Sequence, residues 1–117
     1  MKLKDMVDLF VPVTGIRVSE KEMREIADRI LTLERAFIVR EGITRKDDIL
    51  VGRFMDEPIH GGPQNGLAFE REKWDKMLDE YYGLVGWDKE TGVPTRAKLE
   101  ALGLKDVADE LEEMGKL

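Results

Sequence analysis

The chain has 117 residues and a mass of 13.4 kDa, with 42% hydrophobic residues, 38% charged residues and a formal net charge of −6. This length suits one domain spanning residues 1–117, and the apolar fraction is large enough to form a core. The acidic balance argues against nucleic acid or an anionic membrane as partner, because phosphate groups require a basic surface.

The opening segment MKLKDMVDLF places charges between its apolar residues. It therefore lacks the uninterrupted apolar run of a signal peptide, and no later run approaches the roughly 18 residues that span a bilayer. We expect a cytoplasmic location. The apolar residues recur at three- and four-residue steps, which predicts a short helix over residues 3–10 that ends before Pro12.

The segment SEKE at residues 19–22 predicts the start of a second helix, because Ser19 and Glu22 have the spacing of a capping box. Apolar residues at helical spacing then predict one buried stripe: Met23, Ile26, Ala27, Ile30, Leu33 and Phe37. Gly42 is well placed to end this helix in a left-handed turn, with Arg40 near its negative end.

Residues 43–69 show no sustained period, and DEPIHGGPQNG concentrates glycine and proline within a few positions. This pattern predicts a long irregular loop. A loop approaching that length is uncommon in a compact domain unless it is functional or packs against a partner.

The helical period resumes in FEREKWDKMLDEYYGLVGWD, with a predicted stripe of Trp74, Met77, Leu78, Tyr81 and Tyr82. Gly86 is the predicted end of this helix. Thr95 is the predicted N-cap of a helix over RAKLEAL, closed by Gly103, and Asp106 the predicted cap of the last helix. The expected fold is all-α, with about five helices around one core and a long irregular loop at residues 43–69.

The residue pattern offers no self-sufficient active site. Cysteine is absent, which excludes disulfides, thiolate catalysis and cysteine-ligated zinc or iron–sulfur sites on these residues. His60 is the only histidine and lies in a Gly/Pro loop, where a solvated side chain is far more common than a catalytic base with an orienting partner. The segment GGPQNG lacks the strand and the Gly-Lys-Ser/Thr ending of a phosphate-binding loop. Four aromatic residues are expected to be core anchors instead of a platform for stacking bases: Trp74, Tyr81, Tyr82 and Trp87.

Asp47 and Asp48 are adjacent in the predicted loop and lie close to Arg45, Lys46 and Arg53. One interpretation is a surface ion-pair cluster that contributes little stability. The other is a set of Arg–carboxylate forks that orders the loop over a cofactor or against a neighbouring domain. The spacing alone favours the surface cluster.

Three blocks in the same order carry a family resemblance: ERAFIVREGITRKDDIL followed by Arg53, DKMLDEYYGLVGWD, and TGVPTRAKLEALGL. Together they resemble the C-terminal domain of tungsten-containing aldehyde:ferredoxin oxidoreductases, over roughly residues 13–104. The sequence departs from the family pattern at Ile38, where asparagine is usual, and at Gly52, where proline is usual. Gly83 and Val85 replace more usual polar residues.

The resemblance implies a place in a larger enzyme that oxidises aldehydes to carboxylic acids and passes electrons to ferredoxin. That enzyme holds a tungsten–pterin cofactor and a [4Fe–4S] cluster, whose ligands have no counterpart here. The resemblance therefore implies no catalytic residue, no metal ligand and no cofactor bound by this chain alone. It implies that five charged residues near the loop are interdomain or cofactor-proximal contacts: Arg40, Arg45, Asp47, Asp48 and Arg53.

The expected function is that of an isolated or separately encoded C-terminal domain of such a tungstoenzyme, inactive alone. Its expected partner is a chain that carries the cofactor-binding domains, or a second copy of itself. The alternative is a free-standing helical interaction protein, or a gene remnant with no redox role. An exposed apolar patch on the loop side favours the first hypothesis, whereas a closed polar surface or a tight homodimer favours the alternative.

Overall fold

The computed structural model describes residues 2–117, which form six α-helices and one short 3₁₀ helix. In chain order these are α1 (Leu3–Thr14), α2 (Glu20–Arg40), the 3₁₀ helix (Arg45–Asp47), α3 (Gly52–Asp56), α4 (Arg71–Val85), α5 (Arg96–Ala101) and α6 (Lys105–Glu113). Within this range the extended structure amounts to an isolated bridge between Trp87 and Pro94. The all-α class is confirmed, and α3 brings the number of α-helices to six instead of about five.

Local side-chain hydrogen bonds begin two of the helices as predicted. The Ser19 hydroxyl accepts a bond of 3.2 Å from the Glu22 amide, and the Glu22 carboxylate accepts one of 2.8 Å from the Ser19 amide. The Thr95 hydroxyl accepts a bond of 3.2 Å from the Lys98 amide. These bonds satisfy amide groups that have no partner inside the helix.

The end of α2 is also set locally. Gly42 has φ of 100°, a conformation that residues with a β-carbon rarely adopt. Its amide donates to the Val39 carbonyl, and the Ile43 amide donates to the Ile38 carbonyl, at 2.9 and 3.0 Å. This paired arrangement is a Schellman motif, which ends the helix and turns the chain toward the 3₁₀ helix.

Two predicted helix boundaries are wrong. The first helix continues through Pro12 to Thr14, because the carbonyl that loses its partner at Pro12 belongs to Asp8 on an exposed turn, where water can satisfy it. The last helix begins at Lys105, and Asp106 lies in its first turn instead of capping it. The residue before the helix is Leu104, which is buried in the core and fixes where the chain enters α6.

The segment at residues 43–69 is more ordered than predicted, since it contains the 3₁₀ helix and α3. Its remaining turn is closed by bonds from the Ile59 amide to the Leu67 carbonyl and from the Gly66 amide to the Ile59 carbonyl, at 2.8 and 2.7 Å. Helices of three and five residues are too short to produce a readable hydrophobic period, so the sequence pattern does not reveal them.

The buried face of α2 differs from the predicted stripe. The residues it buries are Thr32, Arg35, Ala36 and Val39. Ile26, Ile30, Leu33 and Phe37 are 44–55% exposed. The difference arises because α5 and α6 pack against only one side of the C-terminal half of α2, forming a small core of Ala36, Val39, Val93, Leu99, Leu104, Ala108 and Leu111.

The molecule is flat and open, with dimensions of 50 × 41 × 21 Å and a radius of gyration of 18.1 Å. A compact chain of this length has a radius of gyration of about 13 Å. The accessible surface is 8590 Å², whereas a compact monomer of this mass exposes about 6,500 Å². The chain therefore leaves an unusually large surface uncovered, much of it apolar.

Candidate functional site

A buried arginine joins α2 to the segment that follows the 3₁₀ helix. The side chain of Arg35 is 5% exposed and forms a fork with the Asp48 carboxylate, at 2.8 Å from Nη1 and 2.5 Å from Nη2. Its Nε donates to the Gly92 carbonyl at 2.8 Å. The Tyr82 hydroxyl of α4 donates to the same carboxylate, and Trp74 Nε1 donates to the Asp48 carbonyl at 2.9 Å. Asp48 is thus held by α2 and α4 together.

The charge state of Asp48 follows from these contacts. Burial opposes ionisation, but the hydrogen bonds from Arg35 and Tyr82 outweigh it and hold the pKa of Asp48 below its ordinary value. Burial, and the bond to the Asp48 carboxylate, raise the pKa of Tyr82 well above its ordinary value. At neutral pH Asp48 is therefore a carboxylate and Tyr82 a neutral phenol.

This depressed pKa predicts an acid-sensitive contribution to stability. Because the folded-state pKa of Asp48 lies below its unfolded value of about 3.9, the contribution is complete above that value and is lost as the pH falls through the folded pKa. The difference in unfolding free energy between wild type and Asp48→Asn should be constant above about pH 5 and should shrink below about pH 4. Urea unfolding of both proteins across this range measures it, and a difference that grows on acidification contradicts the assignment.

A second arginine attaches the 3₁₀ helix to α4. Arg45 Nη1 donates to Asp79 Oδ1 at 2.5 Å and to the Lys89 carbonyl at 2.6 Å, and its guanidinium lies 5.5 Å from the centre of the Tyr82 ring. Its backbone amide donates to the Thr91 carbonyl at 2.7 Å. The segment at residues 44–50 is therefore fastened to the rest of the chain at both Arg45 and Asp48.

The five charged residues singled out in the sequence occupy different environments. Arg45 and Asp48 make the internal contacts above, while Asp47 accepts from the Thr44 amide at 2.9 Å within the 3₁₀ helix. Arg40 pairs with two exposed acidic residues and lies over the Phe37 ring at 4.8 Å. The Arg53 side chain, on α3, is 81% exposed and lies 3.3 Å from the Glu57 carboxylate. Their role toward another domain stays a prediction.

Sequence reasoning missed the partners of Asp48. Arg35 lies on the same helical row as Thr32, Ala36 and Val39, which α2 buries. An arginine in a row of small and apolar residues indicates a buried ion pair, because a guanidinium is otherwise rarely buried. No sequence pattern identifies Gly92 as part of this group, because its role depends on how closely the Arg35 and Tyr82 side chains approach it in the folded chain.

An apolar groove runs along this charged group between α2 and α4, with a volume of about 920 Å³. We call it the α2–α4 groove; besides Arg35, Asp48 and Tyr82, its main lining residues are Leu31, Phe37, Ile38, Ile49, Leu50, Trp74, Leu78 and Tyr81. Several of these side chains are open to solvent, with Phe37 55% and Ile49 64% exposed. Across Trp74 lies a second hollow of about 430 Å³, lined mainly by Phe54, Ile59, Leu67, Phe69 and Met77.

Comparison with known families gives the groove its context. A family model described as aldehyde ferredoxin oxidoreductase, domains 2 and 3, matches residues 1–104, which is most of the chain. The chain belongs to the aldehyde ferredoxin oxidoreductase family. The resemblance drawn from the sequence blocks is thereby confirmed.

Relatives within and around the family are much longer than this chain. The tungsten-containing aldehyde ferredoxin oxidoreductase of Pyrococcus furiosus is 33% identical over 103 residues, which cover 87% of this chain and 16% of that protein. The WOR-like subunit of an aliphatic sulfonate oxidoreductase from the same organism is 34% identical over 110 residues, covering 89% of this chain and 17% of the relative. The chain thus spans about one sixth of these curated relatives.

A solved structure shows the same fold inside a larger assembly. The active-site complex BamBC of benzoyl coenzyme A reductase, bound to 1,5-dienoyl-CoA, matches all of this chain with a TM-score of 0.77 and 30% identity. The match covers 16% of that protein's chain. In this relative, as in the tungsten-containing enzyme, the matching region is a small part of a longer polypeptide.

The part of the chain that the structure describes contains no ready set of side-chain ligands for a metal ion. Over residues 2–117, no cluster of three or more histidine, cysteine, aspartate or glutamate side chains could hold a metal ion. The sequence also lacks the thiolates that hold an iron–sulfur cluster.

Over residues 2–117, no helix has the length and apolar content needed to cross a membrane.

Proposed function

We propose that this chain is the helical C-terminal domain of an aldehyde ferredoxin oxidoreductase-like tungstoenzyme, and that it works with a polypeptide that carries the cofactors. The whole enzyme oxidises an aldehyde to a carboxylic acid and passes the electrons to ferredoxin. The chain contributes a surface and not a reacting group, and it has no activity alone. A cytosolic location is part of the proposal.

The observation that carries this proposal is the apolar surface that the chain leaves uncovered. The α2–α4 groove and the hollow beyond Trp74 expose aromatic and aliphatic side chains that a finished monomer of this size would bury. The chain spans about one sixth of the length of its relatives. If the remaining domains of such an enzyme normally cover this surface, it is exposed when they are not present. A free-standing interaction protein would more simply close its surface or pair with itself.

We assign the five charged residues different parts in this contact. Arg40 and Arg53 lie at the surface, where their guanidinium groups can meet carboxylates of the partner. Arg45 and Asp48 act indirectly, because they hold the segment at residues 44–50 in place against α2 and α4. Asp47 accepts a hydrogen bond from the Thr44 amide, which stabilises the turn between Arg45 and Asp48, and its side chain remains exposed to solvent.

A hybrid enzyme tests the proposal. The segment of the Pyrococcus furiosus tungsten-containing enzyme that this chain matches is replaced by residues 1–117 of this chain. We expect the hybrid to retain tungsten and to reduce ferredoxin with an aldehyde, whereas the same enzyme with the segment deleted loses both. A hybrid of native size that contains no tungsten contradicts the proposal, and so does aldehyde oxidation by this chain alone.

A further inference from the structure

We infer that the α2–α4 groove is the docking site of the cofactor-bearing polypeptide, which fills it with an apolar segment flanked by lysine or arginine. The inference rests on the proposed function and adds to it the place where the partner binds and the chemistry of the partner's surface.

The uncovered area is large enough for a permanent interface. The accessible surface of 8590 Å² exceeds that of a compact monomer of this mass by about 2,000 Å². A standard protein–protein interface takes about 800 Å² from each partner, and permanent interfaces take more. The excess area therefore matches a surface that a partner covers permanently. The α2–α4 groove and the hollow beyond Trp74 are the two apolar concavities in that surface.

The groove is apolar along its length but acidic at its rim. Glu34 and Asp47 line it with exposed side chains, and over residues 2–117 neither forms an ion pair with a lysine or arginine. Among the described residues that line the groove, Arg35 alone is basic, and its donors are directed to Asp48 and Gly92. A partner that brings basic residues to this rim would therefore be favoured.

The same rim argues against a second copy of this chain as the occupant. Face-to-face pairing of two grooves would bring two copies of Glu34 and two of Asp47 together without compensating cations, in a chain whose net charge is −6. Juxtaposed like charges oppose association. An apolar segment flanked by lysine or arginine, from a different polypeptide, complements both the apolar lining and the acidic rim of the groove.

The groove is also held in shape before the partner binds. The Arg35–Asp48–Tyr82 contacts and the Trp74 bond to the Asp48 carbonyl fix α2, α4 and the segment between them. A preformed groove lowers the entropy lost when a partner orders the interface. The apolar occupant then gains from covering side chains such as Phe37 and Ile49, which cost stability while exposed.

The test compares one substitution in two settings. Phe37→Lys changes a groove residue that is 55% exposed, and Met114→Lys is the matched control, since Met114 is 48% exposed and lies outside the groove and beyond the family match. In the isolated chain we expect both variants to shift the melting temperature by less than about 4 °C, because surface substitutions change stability little and the contact of the Phe37 ring with Arg40 is an exposed, weak one. In the hybrid enzyme we expect Phe37→Lys to lower the temperature of unfolding by about 3–5 °C relative to Met114→Lys, because it places a lysine in a covered apolar site and even a large destabilisation gives a modest shift in a chain as long as the hybrid. Met114→Lys should stay neutral in both.

Further outcomes separate the two proposals. Phe37→Leu should restore the hybrid to within about 2 °C of the unsubstituted protein, which shows that the lysine and not a general folding defect is responsible. If Phe37→Lys is as mild as Met114→Lys in a hybrid that holds tungsten, the groove is not the docking site, although the proposed function stands. If the unsubstituted hybrid has no tungsten, the proposed function fails, while the melting comparison still tests the groove. A dimer of the isolated chain that Phe37→Lys dissociates in sedimentation experiments overturns the assignment of the occupant.

Discussion

Replacing Asp48 with alanine is expected to lower the free energy of unfolding by about 3 kcal/mol, because it leaves the buried Arg35 guanidinium without its counter-charge. The Tyr82 hydroxyl loses its acceptor in the same substitution. The remaining bond from Arg35 to the Gly92 carbonyl satisfies only one of its donors. Urea unfolding at neutral pH, followed by far-UV circular dichroism, measures the loss.

Asp8→Ala provides the matched control for this prediction. Asp8 pairs with Lys4 on α1, but the two side chains are 58% and 65% exposed. Exposed pairs of this kind contribute little to stability, because water and salt screen the charges. If Asp48→Ala is no more destabilising than Asp8→Ala, the buried fork does not hold the segment to α2. A double variant, Arg35→Met with Asp48→Ala, should recover part of the loss because the isolated charge is removed.

Replacing Gly92 with alanine is expected to destabilise the protein by about 2–3 kcal/mol, through backbone strain and a steric clash. Gly92 has φ of 70°, and a β-carbon there would lie 2.5 Å from Arg35 Nη2 and 3.1 Å from the Tyr82 hydroxyl. Arg35 cannot move away easily, because its Nε bonds to the carbonyl of Gly92 itself. The shift in the midpoint of thermal or urea unfolding measures the effect.

Gly83→Ala is the control, and its expected effect has the opposite sign. Gly83 lies inside α4, and a β-carbon there would meet only the flexible end of Lys89, at 3.3 Å. Glycine in a helix interior costs about 0.5–1 kcal/mol relative to alanine, so this variant should be more stable than wild type. Equal effects of the two substitutions would show that the space around Gly92 is not restrictive.

The Asp48→Ala and Gly92→Ala variants also test the interface indirectly. Both disturb the Arg35–Asp48–Tyr82 group, which lines the α2–α4 groove, without removing an exposed apolar side chain. In the hybrid enzyme both variants should distort the groove and so weaken its contact with the cofactor-bearing part. Phe37→Lys should act on that contact directly. The two kinds of variant can be distinguished in the isolated chain, because Asp48→Ala and Gly92→Ala destabilise it whereas Phe37→Lys changes its stability little.

The sequence predicted the helix starts and ends well where the signal is a few residues long. The Ser19–Glu22 pair, Gly42, Gly86 and Thr95 all act as expected, because a cap is made from hydrogen bonds between near neighbours. For the first helix the pattern predicts an end before Pro12, but an exposed last turn tolerates proline and the helix continues to Thr14. The charged segment was recognised as unusual, but its partners were not identified.

Residue spacing along the chain is enough to establish the helical class, the family membership and the caps at Ser19, Gly42, Gly86 and Thr95. Which apolar faces are covered became evident from the packing of the helices, where Ile30, Leu33 and Phe37 stay exposed while Arg35 is buried. A helical period identifies an apolar face but not the element that packs against it. That depends on where distant parts of the chain, such as α5, α6 and the turn at Gly92, lie against α2.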